Sequence, residues 1–272
     1  MSAARFAPSP TGLLHKGHAF SALTASEVAR RSCGRFVLRI EDIDFTRCRP
    51  DFEAAIHDDL AWLGLDWERP VLRQSEHGAD YGAALERLVG RGLVYRSFKT
   101  RKEVAVAMLS APHGPGGGFR DAPLPAGEEA RRLAAGEPFA WRLNLAAAER
   151  EAGPLTFEDA RRGVVAVDAS AAGDVVLARK DVGVAYHLAV VVDDARQEIT
   201  DVVRGEDLFE ATHVQRLLQA LLGLPEPRYH HHRLIADAKG ARLAKRSGAE
   251  TLRALRERGV EAVALRRELG FA

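Results

Sequence analysis

The sequence contains little cysteine and no long apolar run. Cys33 and Cys48 are its only cysteines, and they stand fifteen positions apart without C-x-x-C spacing. Two reduced thiols of a cytosolic protein are therefore favoured over a disulfide or a zinc site. No apolar segment approaches the roughly 20 residues that cross a bilayer, and the N-terminus lacks the apolar core of a signal peptide. We therefore expect a cytoplasmic protein with no membrane partner.

The sequence also lacks a charge excess of either sign. The net charge is +1 over 272 residues, with 46% hydrophobic and 28% charged residues, which is typical of a soluble globular protein. A nucleic-acid partner would therefore have to be held by local patches. Residues 239–272 contain nine Lys or Arg and four acidic residues. Such a segment could follow a phosphate backbone or form a solvated helix face, and the sequence favours neither.

The N-terminal segment 5–18, RFAPSPTGLLHKGH, has the order of a strand, a turn and the start of a helix over 19–31. Gly12 and Gly17 allow the backbone to approach a ligand closely, and the start of a helix favours phosphate. His15 and His18 are three residues apart, so they share one face of a helical turn and could donate hydrogen bonds to a phosphoryl group. A partial metal site or a solvated turn would have the same pattern.

Two further candidates stand at the predicted carboxyl ends of strands, where open α/β sheets bind ligands. Glu41 follows the strand 35–40, although the bare sequence favours an ordinary acidic residue of a surface turn. Arg204 follows the strand 199–203, and an arginine there can bind a carboxylate with two parallel hydrogen bonds. A salt bridge from Arg204 to Glu206 or Asp207 is the alternative that the bare sequence favours.

Periodicity predicts the other elements. Helices are expected over 50–63, 81–91, 127–133 and 212–222, and strands over 139–145 and within 155–167. The dense apolar run 185–194 predicts a fully buried strand of a parallel sheet. His230, His231 and His232 are expected on a strand, where adjacent side chains point to opposite faces and cannot converge on one metal ion.

Four motifs resemble those of the glutamyl branch of the class I aminoacyl-tRNA synthetases. Segment 5–18 resembles the HIGH-type signature, with Lys16 in place of an apolar residue, and 39–44 (RIEDID) is similar to Arg-Ile-Glu-Asp-Thr-Asp. Segments 185–189 and 202–208 are similar to the glutamate-pocket motifs, and 242–246 (RLAKR) resembles a degenerate KMSKS loop in which Arg246 replaces serine. The resemblance covers about residues 4–250.

The resemblance implies an α/β fold, with a Rossmann-like parallel nucleotide-binding sheet split by an α+β insertion. The expected divisions are 1–95 for the first half of the catalytic domain, 96–173 for the insertion, 174–237 for the second half and 238–272 for the KMSKS-like loop and a C-terminal helix. Because 26 residues follow Arg246, we expect no anticodon-binding domain.

The resemblance also assigns roles to residues. It implies that Glu41 binds the ammonium group of glutamate and that Arg204 binds its side-chain carboxylate. The glutamate pocket would comprise Arg5, Ser9, Glu41, Tyr186 and Arg204. Catalysis would rest on His15, His18 and Lys245, and ATP, accompanied by magnesium, would be bound by His15, Gly17, His18, Arg242 and Lys245.

The sequence departs from the family at its zinc site. Ser97 and Lys99 stand where the family has the thiolates of Tyr-x-Cys-x-Cys, and residues 114–120 contain no cysteine. Because a lysine repels a metal cation, we expect no bound metal. The Gly- and Pro-rich run 111–118 is expected to be a mobile loop.

The resemblance implies formation of glutamyl-adenylate and pyrophosphate from L-glutamate and ATP. The short outline matches bacterial paralogues that transfer activated glutamate to queuosine at the wobble position of tRNA(Asp), and we expect a monomer. Two alternatives remain at this point: a truncated synthetase that charges another acceptor, and an inactive paralogue that binds tRNA.

Overall fold

The computed structural model describes residues 1–109, 118–179, 183–235 and 250–271. Within these ranges a seven-stranded sheet has the order β3-β2-β1-β10-β11-β6-β7 and is parallel except for its edge strand β7. Its strands are β1 (Ala3–Phe6), β2 (Arg35–Ile40), β3 (Glu68–Arg73), β6 (Thr156–Asp159), β7 (Gly163–Ala166), β10 (Asp201–Gly205) and β11 (Arg228–His232).

A smaller sheet lies in the middle of the chain. Its strands pair antiparallel in the order β4-β5-β8-β9, with β4 Val94–Ser97, β5 Ala140–Leu143, β8 Val176–Arg179 and β9 Gly183–Val184. The helices are α1 (Lys16–Arg31), α2 (Pro50–Trp62), α3 (Gly78–Gly90), α4 (Arg101–Leu109), α5 (Ala126–Ala134), α6 (Leu145–Ala152), α7 (Tyr186–Arg196), α8 (Phe209–Leu222), α9 (Leu252–Glu257) and α10 (Ala262–Glu268).

The order of the large sheet creates a crevice between β1 and β10. The chain leaves β1 through α1 and returns on one side as β2, whereas β10 lies on the other side of β1. Such a reversal of strand order opens a ligand crevice at the carboxyl ends of the strands. Phe6 and Gly205 end the two strands, so the residues that follow them border this crevice.

Helix α1 packs closely on the sheet because its inner face is made of small residues. Ala19, Ala22, Ala25 and Ala29 are buried against the apolar side chains of β1 and β2. Leu252 of α9 and Leu265 of α10 belong to the same core, so the C-terminal helices cover the start of the catalytic fold. This packing fixes the N-terminus of α1 at the crevice.

The predicted α/β fold with a parallel nucleotide-binding sheet is confirmed. The predicted helices over 50–63, 81–91, 127–133 and 212–222 and the strands over 35–40, 139–145 and 155–167 are also found, with ends shifted by a few residues.

The prediction of a buried strand over 185–194 is wrong, because this run forms helix α7. Its apolar side chains from Leu188 to Val191 are all buried, because α3, α8 and β8 surround the helix. In a segment that is apolar on all sides, hydrophobic periodicity cannot distinguish a helix from a strand, and the valines of this segment favour a strand. Tertiary packing decides the conformation here.

The predicted divisions of the chain stay a prediction, although strand pairing crosses two of their boundaries. The hairpin β6–β7 comes from the predicted insertion 96–173, yet it extends the large sheet through pairing of β6 with β11. Strand β8, which the sequence analysis assigned to the second catalytic half, belongs to the smaller sheet. The inserted segment is therefore built into the catalytic sheet.

Candidate active site

A cavity of about 580 Å³ opens at the carboxyl ends of β1 and β10. The structure brings together here every predicted site residue within its described ranges. Those lining the cavity are Arg5, Ser9, His15, Gly17, His18, Glu41, Tyr186 and Arg204. Arg242 and Lys245, the predicted residues of the KMSKS-like loop, lie outside the described residues, as do Arg246 and most of the predicted loop 111–118.

His15 and His18 cap the N-terminus of α1. Nδ1 of His15 accepts a hydrogen bond from the backbone N–H of Gly17 at 3.1 Å, and Nδ1 of His18 accepts one from the backbone N–H of His15 at 3.1 Å. Because Nδ1 is the acceptor in both rings, the neutral rings carry their proton on Nε2. The ring centroids are 3.8 Å apart, so the site holds two Nε2–H donors side by side.

Gly17 has a structural role beside these rings. A Cβ atom at this position would lie 2.9 Å from Cε1 of His15, closer than ordinary contact. A side chain there would displace the imidazole that caps the helix. The glycine therefore preserves the position of His15, in addition to any close approach of a ligand.

Asp194 joins two buried arginines at the base of the cavity. Its Oδ1 lies 3.0 Å from Nε of Arg5 and 2.8 Å from Nη1 of Arg39, and Oδ2 accepts a second bond from Arg5 at 3.3 Å. Burial alone would raise the pKa of Asp194, but the two guanidinium groups hold that pKa below its usual value. Asp194 thus neutralises the charge of Arg5. Arg5 therefore supports the wall of the cavity.

Glu41 leaves this buried cluster with a negative charge that no other cluster member among the described residues matches. Two guanidinium groups, Arg5 and Arg39, face three carboxylates, Asp193, Asp194 and Glu41, all of them buried. With all three carboxyl groups ionised, the formal charge of the cluster is therefore −1, and burial raises the pKa of Asp193. Glu41 contacts Nη2 of Arg39 at 3.3 Å and lines the cavity, and its burial raises its pKa. A cation in the cavity would stabilise the ionised carboxylate.

Arg204 presents the opposite situation. Arg204 is 5% exposed, and the acceptors that its guanidinium has among the described residues are all neutral, namely Oγ1 of Thr212 at 2.6 Å, Oε1 of Gln215 at 2.7 Å, Nε2 of His231 at 3.3 Å and OH of Tyr186 at 3.4 Å.

Among the described residues, no carboxylate lies within 4 Å of the Arg204 guanidinium. The predicted alternative, a salt bridge to Glu206 or Asp207, is therefore wrong, because the side chain turns inward to α8 and β11. A buried guanidinium without a counter-ion favours binding of an anion in the cavity.

The three consecutive histidines have three separate partners. His230 contacts Asp201 at 2.7 Å, His231 contacts Asp159 at 2.7 Å and His232 contacts Oγ of Ser21 at 2.8 Å. The alternation of a strand explains this divergence, as predicted from the sequence. Among the described residues, no group of three or more His, Cys, Asp or Glu side chains has an arrangement that could hold a metal ion.

The segment that replaces the family's zinc ligands is held by other contacts. Ser97 is buried in β4, and Nζ of Lys99 lies 2.7 Å from Oδ2 of Asp121. The absence of zinc stays a prediction. Of the described part of the chain, no helix is both long and apolar enough to cross a bilayer.

Several residues of this site were not predicted from the sequence. Arg39 and Asp194 organise the buried charges, and Ser21, Asp207 and His232 also line the cavity. A charged residue inside an apolar strand, as in RFVLRI, and two acids that end an apolar run, as in VVVDD, are the signals that could have identified the first two.

Comparisons with known proteins agree with this geometry. The family model described as tRNA synthetases class I (E and Q), catalytic domain, matches residues 2–271. A glutamyl-Q tRNA(Asp) synthetase of Rhodobacter capsulatus is 48% identical over 98% of this chain and 99% of its own length. A protein of the same name from Nocardia farcinica is 46% identical over 92% of this chain and 78% of its own length.

A solved structure is similar in fold and in sequence. It is a glutamate tRNA ligase from Elizabethkingia meningosepticum in complex with its amino acid, with a TM-score of 0.75 and 30% identity over 91% of this chain. The match covers 52% of that protein, so this chain spans about half its length. The parallel sheet, the paired histidines at the start of α1 and the family match over nearly the whole chain lead to one conclusion: the chain belongs to the class I tRNA synthetases (E and Q), catalytic domain, and is a ligase of that kind.

Proposed function

We propose that this enzyme activates L-glutamate with ATP and transfers the glutamyl group to queuosine at the wobble position of tRNA(Asp). In the first step an oxygen of the glutamate α-carboxylate attacks the α-phosphorus of ATP. The bond between the α-phosphorus and the bridging oxygen breaks, and pyrophosphate leaves. In the second step a hydroxyl group of queuosine attacks the carbonyl carbon of glutamyl-adenylate, loses its proton and releases AMP.

The observation that carries the proposal is the pair of unmatched buried charges in one cavity. Glu41 belongs to a cluster with a formal charge of −1, and Arg204 has only neutral partners among the described residues. Glutamate carries an ammonium group and a side-chain carboxylate, so it compensates both charges at once. Its α-carboxylate is then left for the reaction with ATP.

This charge pattern also supports discrimination against glutamine. A neutral side-chain amide cannot compensate the Arg204 guanidinium, which would then stay buried without a counter-ion. Leaving a buried charge unpaired typically costs several kcal/mol, whereas the two amino acids are nearly equal in size. We therefore infer that Arg204 sets the preference for the acid over the amide, with Tyr186 bonded to it from α7.

The start of α1 suits the phosphates of ATP. His15 and His18 present Nε2–H groups beside a helix N-terminus, and both features stabilise negative charge that develops on the α-phosphate. Lys245 and Arg242, carried over from the family motif, would act on the triphosphate. Magnesium would enter with ATP as part of the substrate.

The acceptor is proposed from the relatives. The glutamyl-Q tRNA(Asp) synthetases of Rhodobacter capsulatus and Nocardia farcinica each share more than three quarters of their length with this chain. We propose that the enzyme acts as a monomer in the cytoplasm, where ATP and tRNA are available. Its two cysteines are unpaired, in keeping with a reducing compartment.

Two measurements test the proposal. ATP–pyrophosphate exchange should depend on glutamate and should be far weaker with glutamine; an inactive tRNA-binding paralogue would give no exchange. Radiolabelled glutamate should then be transferred to tRNA(Asp) that contains queuosine and not to the same tRNA without it. Equal labelling of the two tRNAs would reject queuosine as the acceptor, and periodate mapping would then identify the esterified diol.

A further inference from the structure

Arg204 is held in place by a chain of hydrogen bonds that begins in the inserted hairpin. Arg204 of β10 and His231 of β11 are neighbours in the parallel register. Nε of Arg204 lies 3.3 Å from Nε2 of His231. Because a guanidinium N–H can only donate, Nε2 of His231 must be the acceptor and must carry no proton.

The other nitrogen of the same ring fixes this state. Nδ1 of His231 lies 2.7 Å from Oδ2 of Asp159, and a carboxylate can only accept, so the proton of the ring is on Nδ1. Oδ1 of Asp159 accepts the backbone N–H groups of Arg161 and Arg162, each at 3.0 Å. The carboxylate is therefore fixed on both oxygens.

The electrostatics of the pair agree with a neutral ring. Burial and, after it, the nearby charge of Arg204 lower the pKa of His231 to about 4, although Asp159 acts in the opposite direction. Burial alone would raise the pKa of Asp159, but bonds from His231 and from the two backbone N–H groups bring it below its usual value. Arg162 is the remaining charged group that acts on the ring.

We propose that Asp159 and His231 are positioning residues for the glutamate site: Asp159 holds His231 in the Nδ1-protonated form, and the Nε2 lone pair then orients Arg204 without neutralising it. The inference rests on the proposed role of Arg204 toward the side-chain carboxylate of glutamate. A carboxylate in direct contact with Arg204 would compete with the substrate. The imidazole keeps the charge of Asp159 one ring away and supplies a neutral acceptor instead.

Asparagine and glutamine at position 231 separate the two functions of the ring. The amide of asparagine reaches the position of Nδ1, so His231→Asn can keep the bond to Asp159 but loses the acceptor for Arg204. The longer His231→Gln places an amide near Nε2 and can still accept from Arg204. Asp159→Asn has a different effect, because its amide can donate to Nδ1 and thereby moves the ring proton to Nε2. That proton can be donated to Oγ1 of Thr212, 3.1 Å away, and Nε of Arg204 then loses its acceptor on the ring.

The first measurement is the KM for glutamate in ATP–pyrophosphate exchange with the full chain. Loss of a hydrogen bond to a charged group weakens binding by roughly tenfold or more. His231→Asn and Asp159→Asn should therefore raise this KM about tenfold or more. The kcat at saturating glutamate and the KM for ATP should change little, and His231→Gln should retain most of the affinity. His230→Asn, on the same strand but bonded to Asp201, is the matched control and should behave as the wild type.

The second measurement is the protonation of His231 by ¹⁵N NMR, with His231→Asn used to assign its signals. The wild type should carry the proton on Nδ1 down to about pH 5, because the pKa of the ring is about 4. Asp159→Asn should move the proton to Nε2.

The outcomes separate this inference from the proposed function. A proton on Nε2 in the wild type would overturn the inference. So would an unchanged KM for glutamate in folded Asp159→Asn, or equal impairment by asparagine and glutamine at position 231. If the wild type shows no glutamate-dependent exchange, the proposed function fails, and the NMR result decides by itself whether the pair orients Arg204.

Discussion

Asp194 and Arg39 are joined by a bond of 2.8 Å between Oδ1 and Nη1, and it connects helix α7 to strand β2 beneath the cavity. Both side chains are almost completely buried. The bond thus joins two residues that are 155 positions apart in sequence. The same carboxylate also binds Arg5 of β1, so it holds the two strands in fixed relation to the helix.

Asp194→Asn should destabilise the protein strongly. The change removes the charge of the one carboxylate that contacts both Arg5 and Arg39, and breaking a buried pair typically costs about 3–5 kcal/mol. Urea unfolding followed by circular dichroism measures the free energy of unfolding. The matched control is Asp80→Asn, which breaks the half-exposed pair with Arg196 and should cost about 1 kcal/mol or less. Similar losses in the two variants would contradict the central role of Asp194.

Arg204→Lys should raise the KM for glutamate by about tenfold or more, because lysine keeps the charge but loses the planar fork of donors. The KM for ATP should stay close to that of the wild type. Exchange kinetics at several concentrations of both substrates measure the two constants. Arg204→Gln should lose more, since it also removes the charge. A parallel rise in the KM for ATP would show that Arg204 acts on the whole site rather than on glutamate.

His15→Asn separates the capping function of this histidine from its chemical function. Asparagine is a good N-cap, so the free energy of unfolding should stay close to that of the wild type, whereas His15→Ala should lose about 1 kcal/mol. Both variants lack the Nε2–H donor, so kcat should fall by about 10²-fold or more in each. Urea unfolding and exchange kinetics on the same preparations test this. Near-normal kcat in His15→Asn would remove His15 from the catalytic step.

Glu41→Gln should stabilise the ligand-free protein at neutral pH while it weakens glutamate binding. Burial raises the pKa of Glu41, so the folded state holds its proton more tightly than the unfolded chain does. Protonation of Glu41 therefore favours folding. At a pH above the pKa of the folded state, the ionised carboxylate lowers the free energy of unfolding.

The thermal midpoint of Glu41→Gln should accordingly exceed that of the wild type at pH 7–8. The difference should shrink as the pH falls through the raised pKa, because the wild-type carboxyl is then also neutral. A Glu41→Gln variant that is less stable at every pH would show that the bond to Arg39 outweighs the unmatched charge.

The resemblance of four motifs to a known family implied the parallel sheet and the group of residues around the cavity, and periodicity predicted most elements. Short motifs carry this information because each places chemical groups at the end of a strand or the start of a helix. Helix α7 could not be predicted from periodicity, since its apolar run is covered on all sides. The hydrogen-bond partners of Arg204 could not be predicted from the sequence either. Glu206 and Asp207 are near it in sequence, but the fold turns its side chain toward Thr212, Gln215 and His231.

The pairing of β6 with β11 has a practical consequence for recombining members of this family. Asp159 stands on the inserted segment, whereas the arginine that it influences through His231 stands on the main sheet. Crossover points for a chimaera should therefore lie outside residues 156–166, so that the hairpin is inherited from the same parent as β10 and β11. A chimaera with the hairpin from one parent and β11 from the other would combine an Asp159 and a His231 that come from different proteins.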